Sequence, residues 1–395
     1  MIVNIGDLRT RARRRLPRAV FDFIDGGAED EISLRANHAA FHRLTFRPRV
    51  LVDASRVDQS TTVLGQMLAA PLILAPTGLC GMAAPRAEVL AGRAAVACGV
   101  PFTLSSMAAV SIEDTMREAP GPHWFQLYVW RDRDLTRSLV ERAAAAGYRA
   151  LVLTVDVQMA GQRERDLRNG ATIPPRVTVA NALDSAMHAG WLLAMARNPR
   201  IDFVNVARGS GAGPLSLAAY VNSQFDPSVS WKDLDWVRGL WHGPLAIKGI
   251  MSAEDARRAV DAGVDAVIVS NHGGRQLDGL PAAIDVLPEV VDAVGDRTEV
   301  ILDGGVRRGS DVVKAICLGA RACMIGRPYL YGLATAGQPG CEMAINLLRV
   351  EIARVLTLLG RPTLADLDRS ALRLAADASQ QVSESRRPAL LMADG

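Results

Sequence analysis

Eight short β-rich runs recur along this chain, closing on glycine, asparagine or aspartate, and amphipathic helical patterns fill most of the intervals between them. The runs are PLILAPTG from Pro71, PFTLSS from Pro101, HWFQLYV from His123, ALVLTVD from Ala150, PLAIKG from Pro244, AVIVSNHGG from Ala266, EVILDGG from Glu299 and ACMIGRP from Ala322. Helical periodicity follows at Ala87 to Cys98, Leu135 to Ala146, Ala253 to Ala262 and Asp311 to Leu318. Alternating buried strands and helices imply parallel strands, and eight such units close into a (β/α)8 barrel. A doubly wound open sheet is the alternative. The 395 residues accommodate one large barrel with extensions or two ordinary domains, so it is the pattern that decides.

The expected organisation is an N-terminal helical segment over 1–65 that caps the barrel, a barrel over 66–365, and a tail over 366–395. The interval between Asp156 and Pro244 is far longer than a βα connection requires. It follows the C-terminal end of a strand, so an insertion over 157–232 is expected to hang over the catalytic face. It holds a charged stretch from Arg163 to Arg168, a Pro-containing turn, and an apolar helical piece from Ala180 to Arg197 around Trp191, Leu192 and Leu193. Two readings are open: a lid packed on its own barrel, or a lid carrying a patch for a membrane surface or an electron-acceptor protein. The chain after Ser379 is polar and reads as a tail that wraps a neighbour or stays mobile.

Composition removes several function classes. With 49% hydrophobic residues and mixed charges the chain is a globular one with a substantial core. A net charge of +3, with no aromatics interleaved among bases, argues against a nucleic-acid partner. Cys80, Cys98, Cys317, Cys323 and Cys341 lack CxxC spacing and an even count, so neither a disulfide framework nor a metal site is expected. A reducing cytoplasm fits best. No apolar leader and no stretch of about 18 apolar residues is present, which argues against secretion and membrane spanning. Arg9, Arg11, Arg13, Arg14, Arg15 and Arg18 read as a solvated helix face, with anionic lipid as the competing reading.

Catalytic groups of such barrels gather at the strand C-terminal ends. After the seventh run comes Asp303-Gly304-Gly305-Val306-Arg307 and after the eighth Gly326-Arg327-Pro328, each able to turn backbone N–H groups and a guanidinium toward a phosphate. Lys248 ends the fifth run, where a charge calls for an anion or an electron-rich ring. The sixth run ends in Ser270-Asn271-His272-Gly273-Gly274-Arg275, and this pairing suits a base with a carboxylate clamp. Asp156 can orient a histidinium, and Gln126 and Tyr128 can meet a heteroaromatic ring and a substrate oxygen. Each of these, taken alone, is equally an ordinary core polar group, and the glycines equally mark tight turns.

SNHGGRQLDG from Ser270 and LDGGVRRGSDVVKA from Leu302 resemble the signatures of the FMN-dependent 2-hydroxy-acid oxidases and dehydrogenases. The resemblance extends through RLPRAVFDFIDGGAED from Arg15, APTGLCGM from Ala75, WFQLYV from Trp124 and SWKDLDWVR from Ser230, covering about Leu8 to Leu364. It leans toward the lactate and mandelate dehydrogenases of that family. It implies FMN as cofactor, with the backbone of Pro76, Thr77 and Gly78 at the flavin N5 edge and Ser106, Gln126 and Thr154 on the isoalloxazine. It places Lys248 near flavin N1, Ser270 in the cofactor site, and Asp303, Gly305, Arg307, Gly326 and Arg327 at the phosphate and ribitol. His272 matches the base, Asp156 its partner, Arg163 and Arg275 the substrate carboxylate contacts, and Tyr128 the residue near the substrate hydroxyl.

The implied reaction converts an (S)-2-hydroxy acid to its 2-keto acid. His272 takes either the carbon-bound or the hydroxyl proton, and both orders use the same residues. Phe23 stands where the family has a tyrosine whose hydroxyl helps hold the carboxylate. Met107 stands where glycolate oxidases often carry a bulkier aromatic, leaving room for a larger, even aryl, side chain. Gly78 favours a dehydrogenase using a quinone or other acceptor over an oxidase using oxygen, since related oxidases commonly have alanine there. An isoprenoid-type isomerase, an amine-oxidising peptide maturase and a binding module without turnover are competing classes; the first does not need the His272 and Arg275 clamp, and the second is marked by loss of the second arginine, which is present here as Arg275. A homotetramer, with location in the cytoplasm or on the inner face of the cytoplasmic membrane, completes the expectation.

Overall fold

Strands covered on both faces need apolar residues throughout, and those of this chain are almost wholly buried. The barrel strands are Leu72–Leu74, Thr103–Ser105, Trp124–Leu127, Ala150–Thr154, Leu245–Ile250, Ala266–Ser270, Glu299–Asp303 and Ala322–Ile325, here numbered one to eight. The computed structural model describes residues 1–170, 178–197, 203–206, 223–294 and 297–374. The Pro-containing turn of the insertion and the chain after Ser379 lie outside the described residues.

The eight strands form one parallel sheet running from strand one through eight, seven, six, five, four and three to two. Strands one and two then meet through the bridge Leu74–Phe102, with Leu74 N–H donating to the Pro101 carbonyl at 2.9 Å. That bridge closes the barrel and removes the open-sheet alternative.

Period-two alternation produces two cores. One face of the strands, including Leu72, Leu74, Phe125, Leu151, Val267 and Leu302, packs outward in the large cluster with helices Ala87–Cys98, Arg133–Ala145, Ala253–Asp261, Ala283–Val294 and Gly309–Cys317. The other face fills the barrel with Ile73, Trp124, Val152, Ala246, Ile268, Ile301 and Met324, plugged below by Val63 and Leu68 of the hairpin Thr61–Val63 and Gln66–Leu68. Two residues further along their strands, the next inward positions are Gln126, Thr154, Lys248, Ser270 and Asp303. The barrel interior therefore ends in a polar layer at its C-terminal mouth.

The N-terminal helices Ile5–Arg15 and Arg18–Asp25 lie beside the final helix Arg327–Leu359, which breaks at Ala336 and Gly337, and Ile32–Ala39 packs on the short turn Ala40–Arg43 that follows it. The basic cluster is only partly a solvated face: Arg9 forks onto Asp25 at 2.6 and 2.7 Å, and Arg15 Nη1 donates to the Thr335 carbonyl at 2.6 Å. The segment from Ala180 to Arg197 is two helices rather than one, Val179–Met187 and Ala189–Arg197, separated at His188, whose backbone leaves helical geometry. Trp191 Nε1 donates to the Met82 carbonyl at 2.9 Å, docking this pair on the barrel mouth. Residues Leu372–Leu374 pair antiparallel with Leu44–Phe46.

Candidate active site

His272 follows strand six with φ +58°, a left-handed conformation rare for a side-chain-bearing residue, and Gly273 and Gly274 continue it at +65° and +72°. Its N–H donates to Ser270 Oγ at 3.1 Å, which holds the turn. The ring thereby swings toward strand four, where Nδ1 lies 2.9 Å from Asp156 Oδ1. A carboxylate accepts, so Nδ1 carries the proton and Nε2 is the basic nitrogen left for the cavity. Burial acts to raise the Asp156 carboxyl, but the charge and hydrogen bond of His272 and the charge of Lys248 outweigh it and hold Asp156 below the usual carboxylate range. The room for Asp156 comes from a bulge between Lys248 and Ile250: Gly249 has φ +108°, and a Cβ there would stand 2.7 Å from the Asp156 Cβ.

Around the same cavity lie Phe23, Met107, Tyr128, Arg163 and Arg275. Arg275 Nη1 donates to the carbonyls of Phe23 at 2.7 Å and Gly26 at 2.9 Å, while the guanidinium stands 5.2 Å from the Phe23 ring centroid. Arg163 lies against the same ring at 5.7 Å. Tyr128 is held edge-on by Trp130 and Phe225 at centroid distances of 5.6 and 5.9 Å. Burial, then the charge of Asp156, pushes its phenol well above the ordinary value, so it stays a donor.

Beneath this cluster the polar layer offers unmatched atoms. Among the described residues, Ser106 Oγ, Gln126 Nε2 and Thr154 Oγ1 are buried without a hydrogen-bond partner. Gln126 Oε1 accepts from Ser105 Oγ at 3.0 Å, which turns its amide nitrogen the other way. Such orphans in a native interior imply a ligand that completes them. Next to them Lys248 Nζ lies 2.8 Å from both Ser270 Oγ and Asp303 Oδ2, and Ser270 Oγ donates to Asp303 at 2.7 Å. Burial works to lower the lysine, but Asp303 and Asp156 raise it above its ordinary value, so it remains a cation.

The far end of the cavity is lined by Gly305, Arg307, Gly326 and Arg327. Gly305 has φ +80°, and the Asn37 carbonyl occupies the place of a Cβ there. Arg327 differs from a simple phosphate contact: Nε, Nη1 and Nη2 donate to the carbonyls of Ile24, Gly273 and Gly26 at 3.1, 3.1 and 2.8 Å. It fastens the N-terminal segment over the site while its charge faces the same end as Arg307. Pro76, Thr77 and Gly78 form the wall beside strand one. The fold thus brings most of the expected residues to one cavity, while Ser106, Gln126, Thr154 and Ser270, all buried, and the half-buried Asp156 stand outside its lining.

Several contributors were not anticipated. Phe203 and Phe225 of the insertion line the cavity, as do Val157 and Ala160. Gln276 binds the start of the insertion, its Nε2 donating to the carbonyls of Asp156 and Met159 at 3.2 and 2.9 Å, and its Oε1 accepting from Gly161 N–H at 3.1 Å. Gln276 lies inside SNHGGRQLDG and Val157 beside Asp156, whereas Phe203 stands beside no motif. Among the described residues no group of His, Cys, Asp and Glu is arranged to hold a metal ion.

An orphan-lined polar floor, a lysine at one end and an arginine-flanked glycine cradle at the other fit a phosphorylated heteroaromatic cofactor. A family model described as FMN-dependent dehydrogenase matches residues 12–374. The chain belongs to the FMN-dependent dehydrogenase family. Its cofactor is FMN. An L-lactate dehydrogenase of Caulobacter sp. (strain K31) is 44% identical over 94% of this chain and 98% of the relative. An L-lactate oxidase of Nostoc sp. (strain PCC 7120) is 43% identical over 94% and 98%. The crystal structure of a monotopic membrane protein, (S)-mandelate dehydrogenase, superposes with a TM-score of 0.91 at 41% identity, covering 94% of this chain and 99% of that one.

Proposed function

We propose that this flavoenzyme oxidises an (S)-2-hydroxy acid to the 2-keto acid and passes the electrons to a quinone or another acceptor in preference to oxygen. The observation that carries this is His272, held through Nδ1 by Asp156, lining the same cavity as Arg163 and Arg275. An imidazole nitrogen beside two guanidinium groups suits a substrate that bears a carboxylate next to the carbon being oxidised. Bound FMN supplies the two-electron acceptor. His272 Nε2 takes the proton, and Asp156 stabilises the resulting imidazolium. Tyr128 donates to the substrate hydroxyl oxygen, and Arg163 and Arg275 fix the carboxylate so that C2 faces the flavin floor. Phe203, Phe225 and Met107 supply an apolar wall for the aryl or alkyl side chain of the substrate.

Gly78 supports the dehydrogenase reading over the oxidase one. Among the described residues no helix is long and apolar enough to cross a membrane. Peripheral contact with the inner face of the cytoplasmic membrane is supported by the exposed side chains Leu183, Met187, Leu192 and Leu193 on the insertion helices. Assembly as a homotetramer, and the division into capping segment, barrel with insertion, and tail, rest on the family resemblance and the chain pattern. Sedimentation of the holoenzyme tests the assembly.

The deciding experiment is anaerobic titration of the purified yellow protein with (S)-lactate and (S)-mandelate, followed by air. Bleaching that persists in air is the expected result. Rapid recolouring with peroxide makes the enzyme an oxidase. No bleaching by any hydroxy acid overturns the reading and directs attention to amines.

A further inference from the structure

Asp166 is a buried acid that the proton chemistry leaves unused. It sits on the short helix Glu164–Arg168, only 7% exposed, with Oδ2 3.3 Å from Nε of Arg163. Arg163 and Arg275 both lie against the ring of Phe23, so two like charges share one aromatic contact in a site that faces the cavity. Burial, and then the charges of Arg163 and Arg327, holds the Arg275 guanidinium well below its ordinary value. Burial also raises the Asp166 carboxyl, against the charges of Arg275 and Arg163. Asp166 is the acid that ion-pairs with Arg163, and Asp22 stands close enough to add to the raising of its carboxyl.

We propose that Asp166 is the resident counter-ion of the carboxylate clamp, displaced from Arg163 by the substrate carboxylate, and that it sets how tightly the site holds an anion. The inference rests on the 2-hydroxy-acid reading of this cavity. The keto-acid product carries the same carboxylate as the substrate, so a competing internal anion weakens both and favours release of product. Asp166 is a positioning residue in this scheme, acting through Arg163, and it touches neither the reacting carbon nor the flavin.

The test uses holoenzyme and oxalate, an anion with no C–H to oxidise, titrated by its perturbation of the flavin absorbance. Asp166→Asn should bind oxalate about tenfold tighter than wild type, the scale of one partly screened charge contact. It should show KM and kcat for the hydroxy acid falling together. Lactamide, which lacks the carboxylate, should bind both proteins within about twofold. Asp166→Glu retains the charge and should stay near wild-type oxalate affinity. FMN content and thermal midpoint report folding of each variant. Equal oxalate affinity in wild type and Asp166→Asn, equal tightening toward lactamide, or equal tightening by Asp166→Glu overturns the proposal. Wild type that no hydroxy acid bleaches fails the functional reading itself, whereas normal bleaching with unchanged oxalate affinity fails only the role of Asp166.

Discussion

His272 Nδ1 and Asp156 Oδ1 lie 2.9 Å apart across the mouths of strands six and four, and the bulge at Gly249 in the strand between them makes room for that contact. A Cβ on Gly249 would come within 2.8 Å of the Asp156 Cγ, and φ +108° disfavours any other residue there. Gly249→Ala should therefore push Asp156 off the histidine and slow anaerobic flavin reduction by about a hundredfold, the lower end of what a general base contributes. FMN content should stay near stoichiometric. Asp156→Asn should slow reduction at least as much. Reduction of Gly249→Ala at the wild-type rate, in stopped-flow absorbance, would show that the dyad tolerates misalignment.

Asp25 carries a pH-dependent part of the stability. Burial alone would raise its carboxyl, but hydrogen bonds from Arg9 and Tyr331, and the charges of Arg9 and Arg327, bring it down to about 2. A folded-state value below the unfolded one means the contribution is fully present above the ordinary carboxylate range and is lost as pH falls through about 2. The shift corresponds to about 2 kcal/mol at neutral pH. Asp25→Asn should lower the denaturation midpoint at pH 7, and the difference from wild type should shrink as the pH falls from about 5 toward 2. A gap that stays constant over that range would mean the carboxylate charge is not the source.

The strands, their order along the chain and the set of residues at their ends were legible because buried parallel strands and their βα turns leave local signals: apolar runs closed by Gly, Asn or Asp. What was not legible depended on contacts between distant segments. Gly249 looked like any strand-end glycine, since its need arises from Asp156, far away in sequence. Arg327 was readable as a cation near a phosphate cradle, but the fact that its three nitrogens hold Ile24, Gly26 and Gly273 depends on where the N-terminal segment docks. The break at His188 was hidden because apolar periodicity runs through it, and Phe203 and Phe225 lie in an insertion with no strand to give them register. Lys248 was expected to face an anion or an electron-rich ring, but that the anion is Asp303 appears only once strands five and seven face one interior.

That ion pair separates structural from cofactor roles. Lys248→Met leaves Asp303 as an uncompensated buried charge, which should cost about 3–5 kcal/mol. Adding Asp303→Asn removes the orphan charge and should restore most of the thermal midpoint. The double variant still lacks the cation that the proposed cofactor site sets beside the flavin, so its flavin reduction potential should remain below that of wild type. Recovery of the potential together with the stability would show that Lys248 acts only through Asp303.

Phe23 offers the sharpest contrast with the family pattern, because its ring lies against both clamp arginines but carries no donor for a carboxylate. Phe23→Tyr adds a hydroxyl at that ring, within a cluster where an anion is already attracted. A hydrogen bond to a charged group contributes about 1.5–3 kcal/mol, so KM for the hydroxy acid should drop at least about tenfold. Little change in kcat is expected, since the carboxylate is bound equally in ground and transition states. The measurement is steady-state kinetics with (S)-lactate and (S)-mandelate under an artificial acceptor. An unchanged KM for both acids would mean that the hydroxyl does not reach the carboxylate, and that Phe23 serves to hold Arg163 and Arg275 in place without ever approaching the substrate.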